Sequence, residues 1–127
     1  MFAKTVFSGF SVDNLANARA FYTETLELQV KDEGARLRLN LPGGAEVFVY
    51  EKGNHEPATF TILNFEVENI DDAADLLRSR GVQFEHYPDM PLDEKGILRR
   101  IPLNLGPDIA WFKDPAGNIL SILQSEQ

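Results

Sequence analysis

The strongest constraint on the fold of this chain is a nine-residue pattern that occurs twice. Residues 10–18 read FSVDNLANA and residues 65–73 read FEVENIDDA, so both follow F-x-V-[D/E]-N-[L/I]-x-x-A. Before each asparagine the apolar residues alternate as in a half-buried strand, and after it they recur at helical spacing. Asn14 and Asn69, or their acidic neighbours, are suited to cap the two helices, and Gly81 is suited to end the second. The pattern therefore indicates a duplicated strand–helix unit.

The segments that follow the two predicted helices also correspond. Residues 28–30 match 82–84 as a strand leaving the helix, and 44–50 match 117–123 as a final strand entered through a glycine turn. Each copy then reads strand, helix and three strands, which predicts an α+β fold of two tandem βαβββ modules forming a curved mixed sheet. We expect residues 1–127 to form a single domain, with modules 1–55 and 58–127. The loop 87–107 carries four prolines, and its length is typical of lids or binding loops.

Composition argues against several classes of function. The chain has 20 acidic and 12 basic residues and a formal charge of −8, which disfavours nucleic-acid binding. It has no cysteine, and therefore no disulfide framework or thiolate nucleophile. The N-terminus lacks the apolar core of a signal peptide, and no run approaches transmembrane length. We expect a cytoplasmic protein with no membrane or nucleic-acid partner.

Two motifs carry a family resemblance. Residues 20–28, AFYTETLEL, and residues 110–118, AWFKDPAGN, occur in the order and setting of the duplicated unit. Together they resemble the signatures of the vicinal oxygen chelate superfamily, which comprises glyoxalases, bleomycin resistance proteins and extradiol dioxygenases. The chemistry of the second motif itself favours a strand-connecting turn. Pro115 presets φ, Asp114 can accept hydrogen bonds from turn amides, and Gly117 or Asn118 can adopt a positive φ.

Relatives that perform chemistry typically bind one divalent metal, and the resemblance implies one ligand position on the first and last strand of each module. These positions fall at Phe7, Phe48, Ile62 and Ser121. Divalent metals bound here need imidazole or carboxylate ligands, and none of the four residues supplies one. We therefore predict no metal and no other cofactor, and we do not expect metal-dependent glyoxalase or dioxygenase activity.

The other candidate catalytic residues have competing structural interpretations. His55 falls in the linker and His86 at a strand end, and both are expected to be exposed. Glu46 or Glu66 could act as a base on a strand, although such residues are more often solvated. Ser121 has no histidine on a strand to activate it, which disfavours a nucleophile. It is either a hydrogen-bonding group of a site or a small residue tolerated beside Phe48.

Strand alternation divides the remaining residues between two faces. The face under the helices is expected to hold Val6, Phe10, Val12, Val47, Val49, Leu63, Phe65, Val67, Leu120 and Ile122, with Ala110 and Phe112. The opposite face, which we call the cup, is expected to hold Thr5, Phe7, Gly9, Phe48, Tyr50, Phe60, Ile62, Asn64, Trp111, Ile119, Ser121 and Leu123. Such an aromatic and apolar lining suits a flat or hydrophobic small molecule. We predict ligand contacts by Phe7, Phe48, Tyr50, Ile62, Asn64, Trp111 and Ser121, with Arg100, or its neighbour Arg99, closing over an anionic group.

The favoured function is binding of a small hydrophobic or aromatic molecule in a metal-free cup, as in sequestration or drug resistance, with no catalytic residue assigned. The family resemblance also implies a homodimer. One alternative is a glyoxalase-like lyase or isomerase, or a dioxygenase-type enzyme. It would have a non-standard metal site or a metal-free acid–base mechanism using Glu46, Glu66 or Tyr50. A second is a scaffold module whose cup is filled by its own side chains.

Overall fold

A computed structural model describes residues 2–126 and confirms the α+β class. The chain divides into two compact units, Met1–Pro57 and Ala58–Gln127, each built around its own mixed sheet. Within residues 2–126, no helix has both the length and the apolar character needed to cross a lipid bilayer.

The first unit has the predicted order of strand, helix and three strands. Its elements are β1 (Ser8–Val12), α1 (Leu15–Ala20), a π-helical turn (Phe21–Thr25), β2 (Gln29–Glu33), β3 (Arg36–Asn40) and β4 (Glu46–Glu51). The sheet order is β1-β4-β3-β2, with β1 parallel to β4 and the other two pairs antiparallel. Because β1 and β4 are parallel, the chain must cross over between them, and α1 with the hairpin β2–β3 makes that crossing.

Helix α1 begins where the sequence pattern placed it. The side chain of Asn14 accepts a hydrogen bond from the backbone N–H of Asn17, which confirms the predicted cap. The helix then widens, because the Leu26 N–H bonds to the Phe21 carbonyl five residues back. Ala18 and Tyr22 are buried under this segment. They pack on the face of the sheet that carries Val12, Leu37, Leu39, Val47 and Val49.

The second unit repeats the plan with one strand fewer. Its elements are β5 (Thr61–Glu66), α2 (Ile70–Ser79), a 3₁₀ turn (Ile101–Leu103), β6 (Asp108–Lys113) and β7 (Ile119–Gln124), in the sheet order β5-β7-β6. Asn69 caps α2 by accepting from the Asp72 N–H. Gly81 ends it with φ of 91°, and Val82 N–H bonds back to the Leu77 carbonyl. Both predicted helix boundaries are confirmed.

The predicted strand over residues 82–84 does not form. Val82 and Phe84 are buried, but this segment contributes no strand to the second sheet. The outer edge of β6 is shared instead between two segments. Leu98 exchanges two hydrogen bonds with Ile109, and Glu85 N–H bonds to the Trp111 carbonyl. Because neither segment follows β6 for several residues, no continuous fourth strand develops.

The predicted helix-side core is correct for the strand centres and wrong at the N-terminus. Val12, Val47, Val49, Leu120 and Ile122 are buried, as are Ala110 and Phe112, while Phe10, Leu63, Phe65 and Val67 are partly buried. Val6 is instead 86% exposed. The reason is that β1 begins only at Ser8, so strand alternation does not reach Val6.

The closing turn between β6 and β7 has the predicted chemistry. One carboxylate oxygen of Asp114 accepts from the N–H groups of Ala116 and Asn118, and the other accepts from the Asn118 side-chain amide. Gly117 has φ of 86°. Asp114 and Asn118 are both buried, so this turn is a fixed structural element.

Candidate functional site

The face of the first sheet opposite α1 carries two arginines that the sequence interpretation missed. We call it the arginine face; by strand register it comprises Gly9, Ser11, Gln29, Lys31, Glu33, Arg36, Arg38, Asn40, Glu46, Phe48 and Tyr50. On β3 and β4, Arg38 lies directly opposite Phe48, and Arg36 lies opposite Tyr50. The signal was present in the sequence RLRLN of β3, whose alternation places Leu37 and Leu39 in the core and the arginines on the other face.

Phe48 is the centre of the arginine face. Phe7 meets its ring edge-on, with ring centroids 4.9 Å apart. The guanidinium carbons of Arg36 and Arg38 lie 4.2 and 5.3 Å from the Phe48 centroid, within the range of cation–π attraction. These partners leave Phe48 only 9% exposed, whereas Phe7 is 59% and Tyr50 45% exposed. These three residues, Phe7, Phe48 and Tyr50, are the predicted ligand residues that lie in the first unit.

Two glutamates hold the arginines in place to different degrees. Arg38 forms an ion pair with Glu33 at 2.7 Å and a longer one with Glu46 at 3.5 Å. Arg36 lies 3.8 Å from Glu33, which is beyond hydrogen-bonding distance. The Arg38 Nε is buried and donates to no group in the described part of the chain. Such an unpaired buried donor is uncommon in folded proteins and calls for an explanation.

An open cleft lies beside Phe48, with a volume of about 900 Å³. Small-molecule sites are typically about 300–1,000 Å³ in volume. Its walls combine aromatic, aliphatic and charged groups from the N-terminal segment and from β3 and β4: Thr5, Val6, Phe7, Ser8, Arg36, Arg38, Gly44, Ala45, Glu46 and Phe48.

His55 is not the exposed residue that its place in a polar linker suggested. It is partly buried, and its Nδ1 lies 2.7 Å from the hydroxyl of Ser11 on β1. The two residues are 44 positions apart, so no local pattern could have revealed the contact. His86 is exposed, as expected.

The corresponding face of the second sheet carries a network of polar side chains that bond to one another. Ser121 is fully buried, and its hydroxyl donates to the Asn64 side-chain oxygen at 2.6 Å. Trp111 lies directly opposite Ser121 in the β6–β7 register, and its indole N–H donates to Thr61 at 3.1 Å. Tyr87 meets the Trp111 ring edge-on at 5.8 Å. The structure therefore brings three predicted ligand residues together, Asn64, Trp111 and Ser121. The Ser121 hydroxyl and the Trp111 indole N–H are paired internally, while Asn64 is exposed.

A bulge in β5 changes which side chain faces this network. Thr61 pairs with Ile119 and Leu63 pairs with Leu120, so the register shifts across Ile62. Thr61 thus takes the position opposite Ile119 that simple alternation gave to Ile62. Counting residues from the repeat could not detect this shift.

The adjacent arginines of the long loop have separate roles. Arg99 makes a bidentate contact with Asp71 of α2, at 2.7 and 3.1 Å, and a further one with Asp93 at 2.9 Å. The hydrogen bonds from Arg99 lower the pKa of Asp71 to about 2. Arg100 donates through Nε to the Pro107 carbonyl, and its guanidinium lies against Gly106. Both side chains thus make contacts that hold the loop.

The positions where the family resemblance implies metal ligands do not fit a divalent cation. Phe7, Phe48 and Ile62 have no donor atoms in their side chains, and the Ser121 hydroxyl is committed to Asn64. Among residues 2–126, no group of three or more histidine, aspartate or glutamate side chains is arranged to hold a metal ion. Of the glutamates considered as bases, Glu46 pairs with Arg38 and Glu66 accepts from Ser125. Of the four ligand positions, only Ser121 offers an oxygen, so we assign the chain no metal-dependent step.

Known structures share this fold at low sequence identity. A member of the glyoxalase/bleomycin resistance protein/dioxygenase superfamily from Sphaerobacter thermophilus has a TM-score of 0.69 at 23% identity, with 98% of this chain and 99% of that chain covered. TnmS3, an antibiotic binding protein from Streptomyces sp. CB03234, has a TM-score of 0.66 at 20% identity, with 99% and 100% covered. Lactoylglutathione lyase from Agrobacterium tumefaciens has a TM-score of 0.63 at 17% identity, with 98% and 96% covered. No curated protein matches the sequence.

The sequence itself matches a family model over nearly its whole length. The model is that of the Glyoxalase/Bleomycin resistance protein/Dioxygenase superfamily, and the match covers residues 5–122. It includes both copies of the repeat and the closing turn, the features on which the resemblance rested. The chain belongs to the glyoxalase/bleomycin resistance protein/dioxygenase superfamily.

Proposed function

We propose that this protein binds a small hydrophobic or aromatic molecule without a metal, in the manner of a sequestration or resistance protein. The observation that carries the proposal is the cleft beside Phe48, whose volume of about 900 Å³ suits a drug-sized molecule. Phe7 provides exposed aromatic surface for stacking, and the guanidinium groups of Arg36 and Arg38, which lie on the Phe48 ring, supply polar donors.

The family offers both binding and enzymatic precedents, and the ligand positions favour binding. One structural neighbour is described as an antibiotic binding protein and another as a lyase. An enzyme of the metal-using type needs oxygen or nitrogen ligands, whereas three of the four positions here carry hydrocarbon side chains. Two of these side chains, Phe7 and Phe48, line the cleft, where they suit a hydrophobic ligand better than a metal.

A thermal-shift screen with aromatic and glycopeptide compounds tests the proposal, because a ligand that binds only the native state raises the melting temperature. We expect at least one aromatic compound to stabilise the protein, and dialysis against EDTA to leave that shift unchanged. Phe7→Ser should weaken binding about tenfold by removing a stacking surface. Phe2→Ser is the matched control, since Phe2 is fully exposed and does not line the cleft. A shift that requires added metal, or no shift with any compound, would contradict the proposal.

We also propose that the protein is a homodimer. Leu103 and Leu105 expose apolar side chains in the loop before β6, which is the kind of surface that association buries. Light scattering should give twice the chain mass of 14.3 kDa, and Leu103→Asp should shift the mass towards the monomer. A monomeric wild-type protein at micromolar concentration would contradict this assignment. The cytoplasmic location stays a prediction from the sequence.

A further inference from the structure

We infer that the ligand of the cleft carries a carboxylate on a flat aromatic ring, with Arg36 as the residue that recognises the negative charge. This inference rests on the proposed binding function and narrows its ligand class. It depends on a difference in ion pairing between Arg36 and Arg38, the two arginines of the arginine face.

Arg38 is held by the protein, whereas Arg36 retains its donor groups. A guanidinium has five N–H donors in a planar fork that matches a carboxylate. Arg38 uses part of its fork on Glu33 at 2.7 Å and Glu46 at 3.5 Å. The ion-pair partner of Arg36 within the described residues is Glu33, at 3.8 Å, and the Arg36 side chain is half exposed. Its edge is therefore available to a bidentate partner from the cleft.

The surroundings of Arg36 also hold its charged guanidinium group in one orientation. Its guanidinium stacks 4.2 Å from the Phe48 centroid, which restricts the movement of an otherwise flexible side chain. Less conformational entropy is then lost when a carboxylate binds. Phe7 supplies an exposed ring at the same cleft, so a ligand can stack there while its carboxylate meets Arg36.

The acidic groups near the cleft limit how much a negative charge alone can add to the affinity of a ligand. The ligand therefore also needs the hydrophobic area of a ring. Glu33 and Glu46 together offset the two arginine charges, and the whole chain carries a net charge of −8. A small anion without hydrophobic area gains little there, because exposed ion pairs contribute weakly. A ligand that combines stacking area with one carboxylate gains from both. Any acceptor that reaches the unpaired Arg38 Nε would also relieve the cost of its burial.

The test compares three probes by fluorescence or calorimetric titration: 9-anthracenecarboxylate, the neutral 9-anthracenemethanol and cyclohexanecarboxylate. We expect the aromatic carboxylate to bind about tenfold more tightly than the aromatic alcohol, and the non-aromatic carboxylate to bind more weakly than either. Arg36→Gln should remove the preference for the carboxylate, so that the aromatic acid and the aromatic alcohol bind with similar affinity. Arg19→Gln is the control, since Arg19 pairs with Asp32 and does not line the cleft. Circular dichroism melts establish that both variants are folded.

The outcomes separate this inference from the proposed function. Equal binding of the two anthracenes, or a preference that persists in Arg36→Gln, would overturn the charge recognition and leave the binding function intact. Cyclohexanecarboxylate that binds as tightly as the aromatic acid would overturn the role of the ring. If folded wild-type protein binds neither anthracene, the inference fails; the proposed binding function fails with it only if the thermal-shift screen also finds no stabilising compound.

Discussion

The two units use one backbone plan for two different surfaces. Their helices begin at equivalent asparagines, and their final strands align so that Phe48 of the first unit corresponds to Ser121 of the second. Around Phe48 the structure places guanidinium groups with unused donors and an open cleft. Around Ser121 it places the Asn64 side-chain oxygen, which accepts a hydrogen bond from the serine hydroxyl at 2.6 Å. Duplication thus preserved the elements that define the fold, while the chemistry of the sheet face diverged.

The largest expected effect tests whether the two units are equally well packed. Leu39 and Leu120 are fully buried beneath α1 and α2. Leu39→Ala and Leu120→Ala should each lower the free energy of unfolding by about 2–5 kcal/mol, from lost apolar burial and a residual cavity. Urea denaturation measures both. A loss below about 1 kcal/mol for one of them would show that its unit is loosely packed.

The second comparison concerns the turns that lead into the final strands. Asp114→Ala removes the acceptor of three hydrogen bonds in a buried turn and should cost about 2–3 kcal/mol. In the first unit, Gly44 serves the equivalent turn with φ of 97°, and an added Cβ there would meet no atom within 4 Å. Gly44→Ala should therefore cost only the backbone strain, about 1 kcal/mol. Equal losses in urea denaturation would contradict this difference.

A third pair of variants compares how much a residue on each of the two sheet faces contributes to the free energy of unfolding. Ser121→Ala should cost about 1 kcal/mol, because it removes the bond to Asn64 and leaves a small void. Arg36→Gln should change stability by less than about 0.5 kcal/mol, because that side chain is half exposed and weakly paired. Thermal or urea unfolding of both variants checks the ranking. A larger loss for Arg36→Gln would make that arginine a structural residue.

The smallest expected effect depends on pH. Arg99 lowers the pKa of Asp71 to about 2 from its ordinary 3.8. A lowered folded-state pKa means that the pair stabilises the native state fully above pH 3.8 and loses this contribution as pH falls towards 2. Asp71→Asn should cost about 1 kcal/mol or less at pH 7, since the carboxylate is partly exposed, and the difference from wild type should shrink below pH 4.

Asp32→Asn is the matched control for that measurement. It breaks the exposed Arg19 pair of the first unit and should have a smaller effect than Asp71→Asn at every pH. Urea midpoints between pH 2 and pH 7 give the comparison. A difference between Asp71→Asn and wild type that does not depend on pH would contradict the ionic explanation.

Local signals predicted the fold well because they act over a few residues. Asn14, Asn69, Gly81 and the turn at Asp114 each depend on their own backbone neighbourhood, and each is found as predicted. The π-helical turn after α1 was not predictable from the spacing of apolar residues, which does not distinguish i+4 from i+5 hydrogen bonding. Whether residues 82–84 form a strand depends on which segments pair with the outer edge of β6. Those pairings involve residues far apart in sequence.

The site was less predictable because it depends on register. The bulge at Ile62 moves Thr61 onto the serine-bearing face, and strand counting has no access to such an insertion. Arg36 and Arg38, by contrast, could have been found from the alternation of β3. Pairing Ser11 with His55 required knowing that the linker returns to β1.

The contacts at the outer edge of β6 affect the solubility of the protein. Leu98 and Glu85 already occupy backbone groups of Ile109 and Trp111 that a foreign strand would need for pairing. An exposed edge with such apolar residues would be a template for intermolecular β-sheet growth. The segment from 85 to 98 therefore shields the second sheet from aggregation, and a variant that detaches it would be prone to form insoluble assemblies.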